Sequence, residues 1–133
     1  MVGLQGSGKS TWVAANLAAT HVVVSKDHWP NARRREARQQ RVVAELLAEG
    51  RSVVVDNTNP SVEERAPLVA AARAAGARVR CVWVDTPWET CLQRNATREG
   101  RAKVPLVGLL AARGRFERPT REEGFDSVET VRP

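Results

Sequence analysis

The chain has 133 residues and a formal net charge of +6, with no repeat, linker or low-complexity tract, so one domain with its own core is expected. Only three of its 21 basic residues are lysines; the arginine excess reads equally as the mark of a GC-rich genome or as a surface for phosphates or nucleic acid. No apolar run approaches the roughly 18 residues of a membrane span and no charged-then-apolar leader opens the chain, so a cytoplasmic protein without a membrane role is expected.

Strand-like and helix-like stretches alternate, which predicts an α/β fold with a parallel sheet flanked by helices. The stretch "GLQGSGKST" (3–11) opens directly into a helix predicted over Lys9 to Ala19. "HVVVS" (21–25) is a short β-branched run. From Asn31 to Glu49, Ala37, Val42, Val43, Leu46 and Leu47 mark one helix face, and Gly50 is its stop. "SVVVD" (52–56) is a second buried-type strand. Ser61 and Glu64 form a capping box for a helix running to Ala75. "RVRCVWVD" (78–85) is a third strand. Thr86 as cap and Pro87 at the first position open the next helix. A basic stretch covers 94–103, a short helix Leu106 to Ala112, and "DSVETV" (126–131) is a last strand.

The glycine-rich stretch carries the most chemistry. It fits glycine, four residues, then Gly-Lys-Ser, the loop that cradles nucleotide phosphates. Gly3, Gly6 and Gly8 let backbone N–H groups turn toward phosphate oxygens, together with Ser7 and Thr11. Lys9 reaches the β- and γ-phosphates, Ser10 places a hydroxyl on Mg²⁺, and the helix start aims its positive end at the same anions. ATP and Mg²⁺ are the implied cofactors.

Asp27 follows the first β-branched run and Asp56 ends the second. Both should sit at the carboxyl ends of parallel strands, where α/β sheets bind ligands. Either acid alone is ordinary turn chemistry; their coincidence with the glycine loop favours a shared rim. Thr58 and Asn59 in "DNTNP" are read as substrate contacts or as a simple turn. Arg94 and Arg98 are four apart, and spacing alone favours a solvated basic helix end. Trp12 and Trp83 read as core. Trp29 reads as sheet packing more readily than as a base-stacking surface, and His28 as a half-exposed turn residue. "RRREARQQR" (33–41) reads as a solvated face. Cys81 and Cys91 lack a CxxC pattern and read as reduced thiols rather than a zinc site.

Taken in order, "GSGKSTW", "VVVDNTNPSVEER", "AARAAGARVRCVWV", "RNATREGRAKVP" and "RFERPTREEGFDSV" resemble the kinase domain of polynucleotide 5′-hydroxyl kinases, of the phage type and of animal end-healing enzymes. The resemblance covers almost the whole chain. It implies a three-layer P-loop NTPase of adenylate-kinase-like architecture and transfer of the ATP γ-phosphate to a 5′-hydroxyl of DNA or RNA. It places Asp27 as general base, Arg94 and Arg98 as arginines of a lid over 94–115, and the stretch from Arg115 to Pro119 along the adenine. Asp56 matches the acid of the family's D-x-T-N segment.

Two departures stand out. Pro30 occupies the position where the phage type carries a substrate-gripping arginine, leaving Arg33 or Arg34 to replace it. Only Met1 and Val2 precede Gly3, so the strand ahead of the loop is expected to be largely missing and the start to lie downstream of the true one. No phosphatase domain is read within these residues, which implies a stand-alone kinase with no obligate protein partner. The rival readings are a P-loop kinase for a small-molecule hydroxyl (a sugar acid, nucleoside or antibiotic) and a nucleotide-binding module without turnover.

Overall fold

The computed structural model describes residues 1–133, apart from the side chain at position 101. In chain order the elements are α1 (Lys9–Asn16), β1 (Val22–Val24), α2 (Arg35–Ala48), β2 (Val53–Val55), α3 (Val62–Ala74), β3 (Arg80–Val84), α4 (Trp88–Ala96), α5 (Leu106–Arg115) and β4 (Ser127–Val131). All strand pairings are parallel. Val22 to Val24 lie opposite Val53 to Val55, and Arg80 to Val84 opposite Ser127 to Val131.

Met1 to Gly3 lie between these two strand pairs. The Met1 amine donates to the Val55 carbonyl (3.0 Å). Val2 N–H donates to Val82 O (2.8 Å) and Val84 N–H to Val2 O (2.9 Å), while Gly3 N–H reaches Thr58 O (3.1 Å). This stub represents the strand expected ahead of the glycine loop. Val2 is buried in a cluster with Val69, Cys81 and Phe125, against which Val79, Trp83, Phe116 and Val128 pack.

The elements follow local chemistry closely, with instructive exceptions. Ser61 caps α3 by accepting from Glu64 N–H (3.1 Å), as its sequence predicts. Helix α1 stops at Asn16, three residues short of the expected end, and α5 continues to Arg115. Helix α2 starts only at Arg35, because Arg34 takes a left-handed conformation (φ 54°) ahead of it. Its buried face is therefore phased on Gln39 and Val43, and Ala37, expected on that face, is exposed. Thr86 does not cap α4, which begins at Trp88 after Pro87; its hydroxyl is drawn instead to the Ser7 carbonyl (2.6 Å). Trp12 and Trp83 are half-buried, Trp83 against the core cluster, each with an arginine over its ring (Arg80 and Arg118).

Arg65, only 2 % exposed, joins three segments. Its Nε and Nη2 donate to the two Glu123 carboxylate oxygens (2.8 and 3.1 Å). Nη1 donates to Asn59 O (2.9 Å) and Nη2 also to Glu117 O (3.0 Å). A fully hydrogen-bonded buried pair fixes geometry more than it adds stability, but removing one partner leaves an uncompensated charge. Arg65→Met is expected to destabilise the fold by about 3–5 kcal/mol, read as a fall in melting temperature of roughly 10 °C or more. Thermal unfolding followed by circular dichroism measures it.

Candidate active site

The glycine loop runs from the stub into α1. Gly8 stands at the helix start with φ 100°, and the first helical bond is Trp12 N–H to Gly8 O (3.0 Å). The N–H groups of Lys9, Ser10 and Thr11 precede that bond and have no partner within the helix. A side chain at Gly6 (φ 80°) would bring its Cβ to 2.7 Å from the Cys91 carbonyl, so this glycine permits loop and α4 to touch. Ser7 Oγ and Gln5 Oε1 are buried without a hydrogen-bond partner. Free N–H groups at a helix start, a buried lysine and an orphaned hydroxyl form a donor set suited to phosphate.

Lys9 is 9 % exposed, and its ammonium donates to Leu4 O (3.1 Å). Burial lowers its pKa to about 8; the charges of Asp56 and Asp27 oppose that, and Arg98 adds to it. Ser10 Oγ donates to Asp56 Oδ2 (2.7 Å), so the loop hydroxyl and the acid after β2 already meet. A hydroxyl and a carboxylate are the hard oxygen ligands Mg²⁺ takes alongside phosphate and water. Among the described residues no cluster of three or more His, Cys, Asp or Glu stands ready for a metal. The Ser10–Asp56 pair is a donor set that fits Mg²⁺.

Asp27 lies in a single helical turn after β1. Its N–H donates to Ser25 Oγ (3.2 Å), its carboxylate is exposed, and its charge is felt at Lys9. Arg94 reaches the loop directly, donating from Nη1 to Gly6 O (3.2 Å). Arg98 lies just past the end of α4, not on it as the spacing suggests; it is half-buried and its charge also acts on Lys9. Asp56, through Ser10, and Arg94, through Gly6, thus meet the loop from separate segments of the chain.

Other expected site residues make different contacts. Asn59 is buried with φ 44°, and its amide donates to the Met1 carbonyl (2.9 Å), so it holds the fold instead of facing a substrate. Thr58 gives its carbonyl to Gly3 N–H. Arg115 is exposed at the end of α5, pairing with Glu64 (3.4 Å), and no hydrogen bond joins it to the loop. After it, Phe116 packs on Trp83 with ring centroids 5.5 Å apart. Arg33 is exposed on the approach to α2, and Trp29 is half-buried with the Arg38 guanidinium 4.6 Å from its ring. Both cysteines are buried thiols.

Gln39 and Asn57 were missed from sequence. Asn57 Nδ2 donates to the buried Gln39 Oε1 (2.7 Å), while Asn57 Oδ1 accepts from Lys26 N–H (3.0 Å) and Ser25 Oγ (3.4 Å). This relay ties the turn bearing Asp27 to the turn bearing Asp56. The signal was a glutamine four residues before Val43, a polar group on an apolar face.

Residues 1–119 match the family model described as AAA domain. The chain belongs to this AAA domain family. It is 31% identical over 136 residues to the bifunctional polynucleotide phosphatase/kinase of Schizosaccharomyces pombe, across 98% of this chain and 32% of that protein. A relative from Acanthamoeba polyphaga mimivirus is 33% identical over 138 residues, again across 98% and 32%. The domain therefore spans about a third of the length of these curated relatives. A sugar kinase from Janibacter sp. HTCC2649, solved without ligand, superposes with a TM-score of 0.71 at 19% identity, covering 98% of this chain and 82% of that one. The AAA domain seen here thus has a P-loop kinase fold. The alignment with the Schizosaccharomyces pombe relative runs along nearly the whole chain.

Because burial lowers the Lys9 pKa to about 8, the free domain loses this positive charge as pH rises through that value. Triphosphate affinity should therefore weaken between pH 7 and 9, measured by calorimetric titration with ATP. Lys9→Met should weaken binding about tenfold to hundredfold at pH 7, the scale of a lost charge-assisted hydrogen bond, and flatten the profile.

Proposed function

We propose that this domain transfers the γ-phosphate of ATP to a 5′-hydroxyl end of DNA or RNA. One observation carries the reading: Ser10 Oγ donates to Asp56 Oδ2 (2.7 Å), joining the glycine loop to the end of β2, whose parallel neighbour β1 leads to Asp27. The name of the Schizosaccharomyces pombe relative supports a polynucleotide acceptor.

ATP lies along Gly6 to Thr11, its phosphates on the loop N–H groups and Lys9. Magnesium, held through Ser10 and Asp56, would offset charge on the phosphate oxygens. Asp27 accepts the proton of the attacking hydroxyl as the new P–O bond forms and the bond from the γ-phosphorus to the bridging oxygen of ADP breaks. Phosphoryl transfer is loose and the proton leaves late, so the placement of the carboxylate matters more than its basicity. Ser25, which holds the Asp27 N–H, and the Asn57–Gln39 relay supply that placement. Arg94 and Arg98, in a lid over 94–115, balance the charge spread over the transferring group. Arg33 and Arg34 offer positive charge for substrate phosphates near Asp27, where Pro30 offers none.

Pro30 also favours a second reading, a P-loop kinase for a small-molecule hydroxyl, since it leaves no cation at that position to grip a nucleic-acid phosphate. Radiolabelled ATP offered to 5′-hydroxyl oligonucleotides and small alcohols tests both. An oligonucleotide acceptor should bind more weakly with salt, by about 0.7 log units per contacted phosphate for each tenfold rise. A neutral small acceptor should show little salt dependence. Nucleotide binding without transfer to any acceptor would leave a binding module only. Asp27→Ala should reduce transfer by at least about a hundredfold while changing ATP affinity less than about threefold. Rapid-quench turnover and ATP titration on the same variant separate the two effects.

A further inference from the structure

One side of the glycine loop rests on the joint between β3 and α4. The joint is fixed at both ends: Asp85 N–H donates to Val131 O (2.8 Å), and the Cys91 thiol of α4 donates to Thr86 O (3.8 Å). From this joint the half-buried Thr86 donates its hydroxyl to Ser7 O at 2.6 Å. Arg94, further along α4, donates to the preceding carbonyl, Gly6 O (3.2 Å). Two consecutive carbonyls of the loop are thus held from one element.

The Thr86 bond fixes more than a carbonyl. Ser7 C=O and Gly8 N–H belong to one planar peptide unit, and because no peptide bond is cis they point in opposite directions. A carbonyl drawn toward Thr86 turns the Gly8 N–H to the other side of the loop. That N–H has no hydrogen-bond partner among the described residues. It directly precedes the unpaired N–H groups of Lys9, Ser10 and Thr11 at the start of α1. Gly8 holds a left-handed φ of 100°, the kind of turn that curves successive N–H groups around one anion. The loop does not impose this orientation by itself. Rotating the peptide changes the Gly8 φ, and glycine resists neither setting. The Ser7 hydroxyl supplies no anchor either, being buried without a partner among the described residues.

We propose that Thr86 is a positioning residue of the phosphate cradle: its hydroxyl, fixed at the end of β3, sets the Ser7–Gly8 peptide so that Gly8 N–H meets a phosphate oxygen of the nucleotide. The inference rests on the phosphate-binding part of the function proposed above and not on the acceptor. Thr86 differs in kind from Lys9 and Arg94. Those two exchange a loop carbonyl for the anion, whereas Thr86 keeps its carbonyl and acts on the ligand only through the peptide plane. Its role needs a donor at that position; a side chain of the same shape without one leaves the plane free to turn.

Thr86→Val and Thr86→Ser test the proposal, with inorganic tripolyphosphate and ATP as probes in calorimetric titrations. Thr86→Val keeps the shape and removes the donor, and both probes should bind about tenfold more weakly, the scale of one hydrogen bond to a charged group. Thr86→Ser keeps the donor and should bind within about threefold of the native protein. In amide resonance spectra, tripolyphosphate should move the Gly8 proton downfield in the native protein, and clearly less in Thr86→Val. Native affinity in Thr86→Val, or a loss that Thr86→Ser does not restore, would overturn the proposal. So would a Gly8 amide that ignores saturating tripolyphosphate in the native protein, whatever the variants do. A native protein that binds tripolyphosphate as described and phosphorylates no acceptor would overturn the proposed transfer and leave this inference standing.

Discussion

Parallel strands share a direction, so their carboxyl ends meet along one edge, and the candidate site depends on that constraint. The glycine loop leaves the stub at this edge, Asp27 follows β1, and Asp56 follows β2. No residue has to be carried across the molecule. What the fold adds is lateral spacing: neighbouring strands lie about 5 Å apart, so residues leaving neighbouring ends fall within reach of one ligand. Ser10 and Asp56 illustrate it, 46 positions apart in sequence and joined by a hydrogen bond.

Strand ends alone do not fix side chains, and the remaining precision comes from buried polar groups. The amide relay from Gln39 through Asn57 joins the turns bearing the two acids. Arg65 does the corresponding work further out, clamping Asn59 and Glu117 to Glu123. In a low-dielectric interior such groups are costly unless satisfied, and once satisfied they allow few alternative arrangements. The rim thus rests on hydrogen-bonded supports that make no contact with the loop's phosphate face.

Much of this was legible in the sequence because it depends on local rules. Gly-rich loop, β-branched runs and the Ser61 cap each follow from a few neighbouring residues. What escaped depends on distant partners. Thr86 has the sequence of a cap, yet a carbonyl 79 residues away claims its hydroxyl. Asn59 has the sequence of a ligand-facing turn, yet the Met1 carbonyl claims its amide. Gln39 is hydrophilic by composition and buried because Asn57 faces it. Arg98 misses the helix on which its spacing placed it because α4 ends at Ala96, and its guanidinium donates to the Ala102 carbonyl instead (3.5 Å). Competition for hydrogen-bond partners, rather than hydrophobic pattern, separates the expected site from the one observed.

Both cations that touch the loop rest on its own carbonyls, Lys9 on Leu4 and Arg94 on Gly6. The protein thereby keeps two stand-in oxygens where an anion's oxygens would come. Under the proposed function, arrival of a phosphate is an exchange of acceptors, with the Lys9 donor already buried. The number of hydrogen bonds at these two groups changes little in such a swap. What changes in that exchange is the charge of the acceptor oxygen, from a neutral carbonyl to an anion.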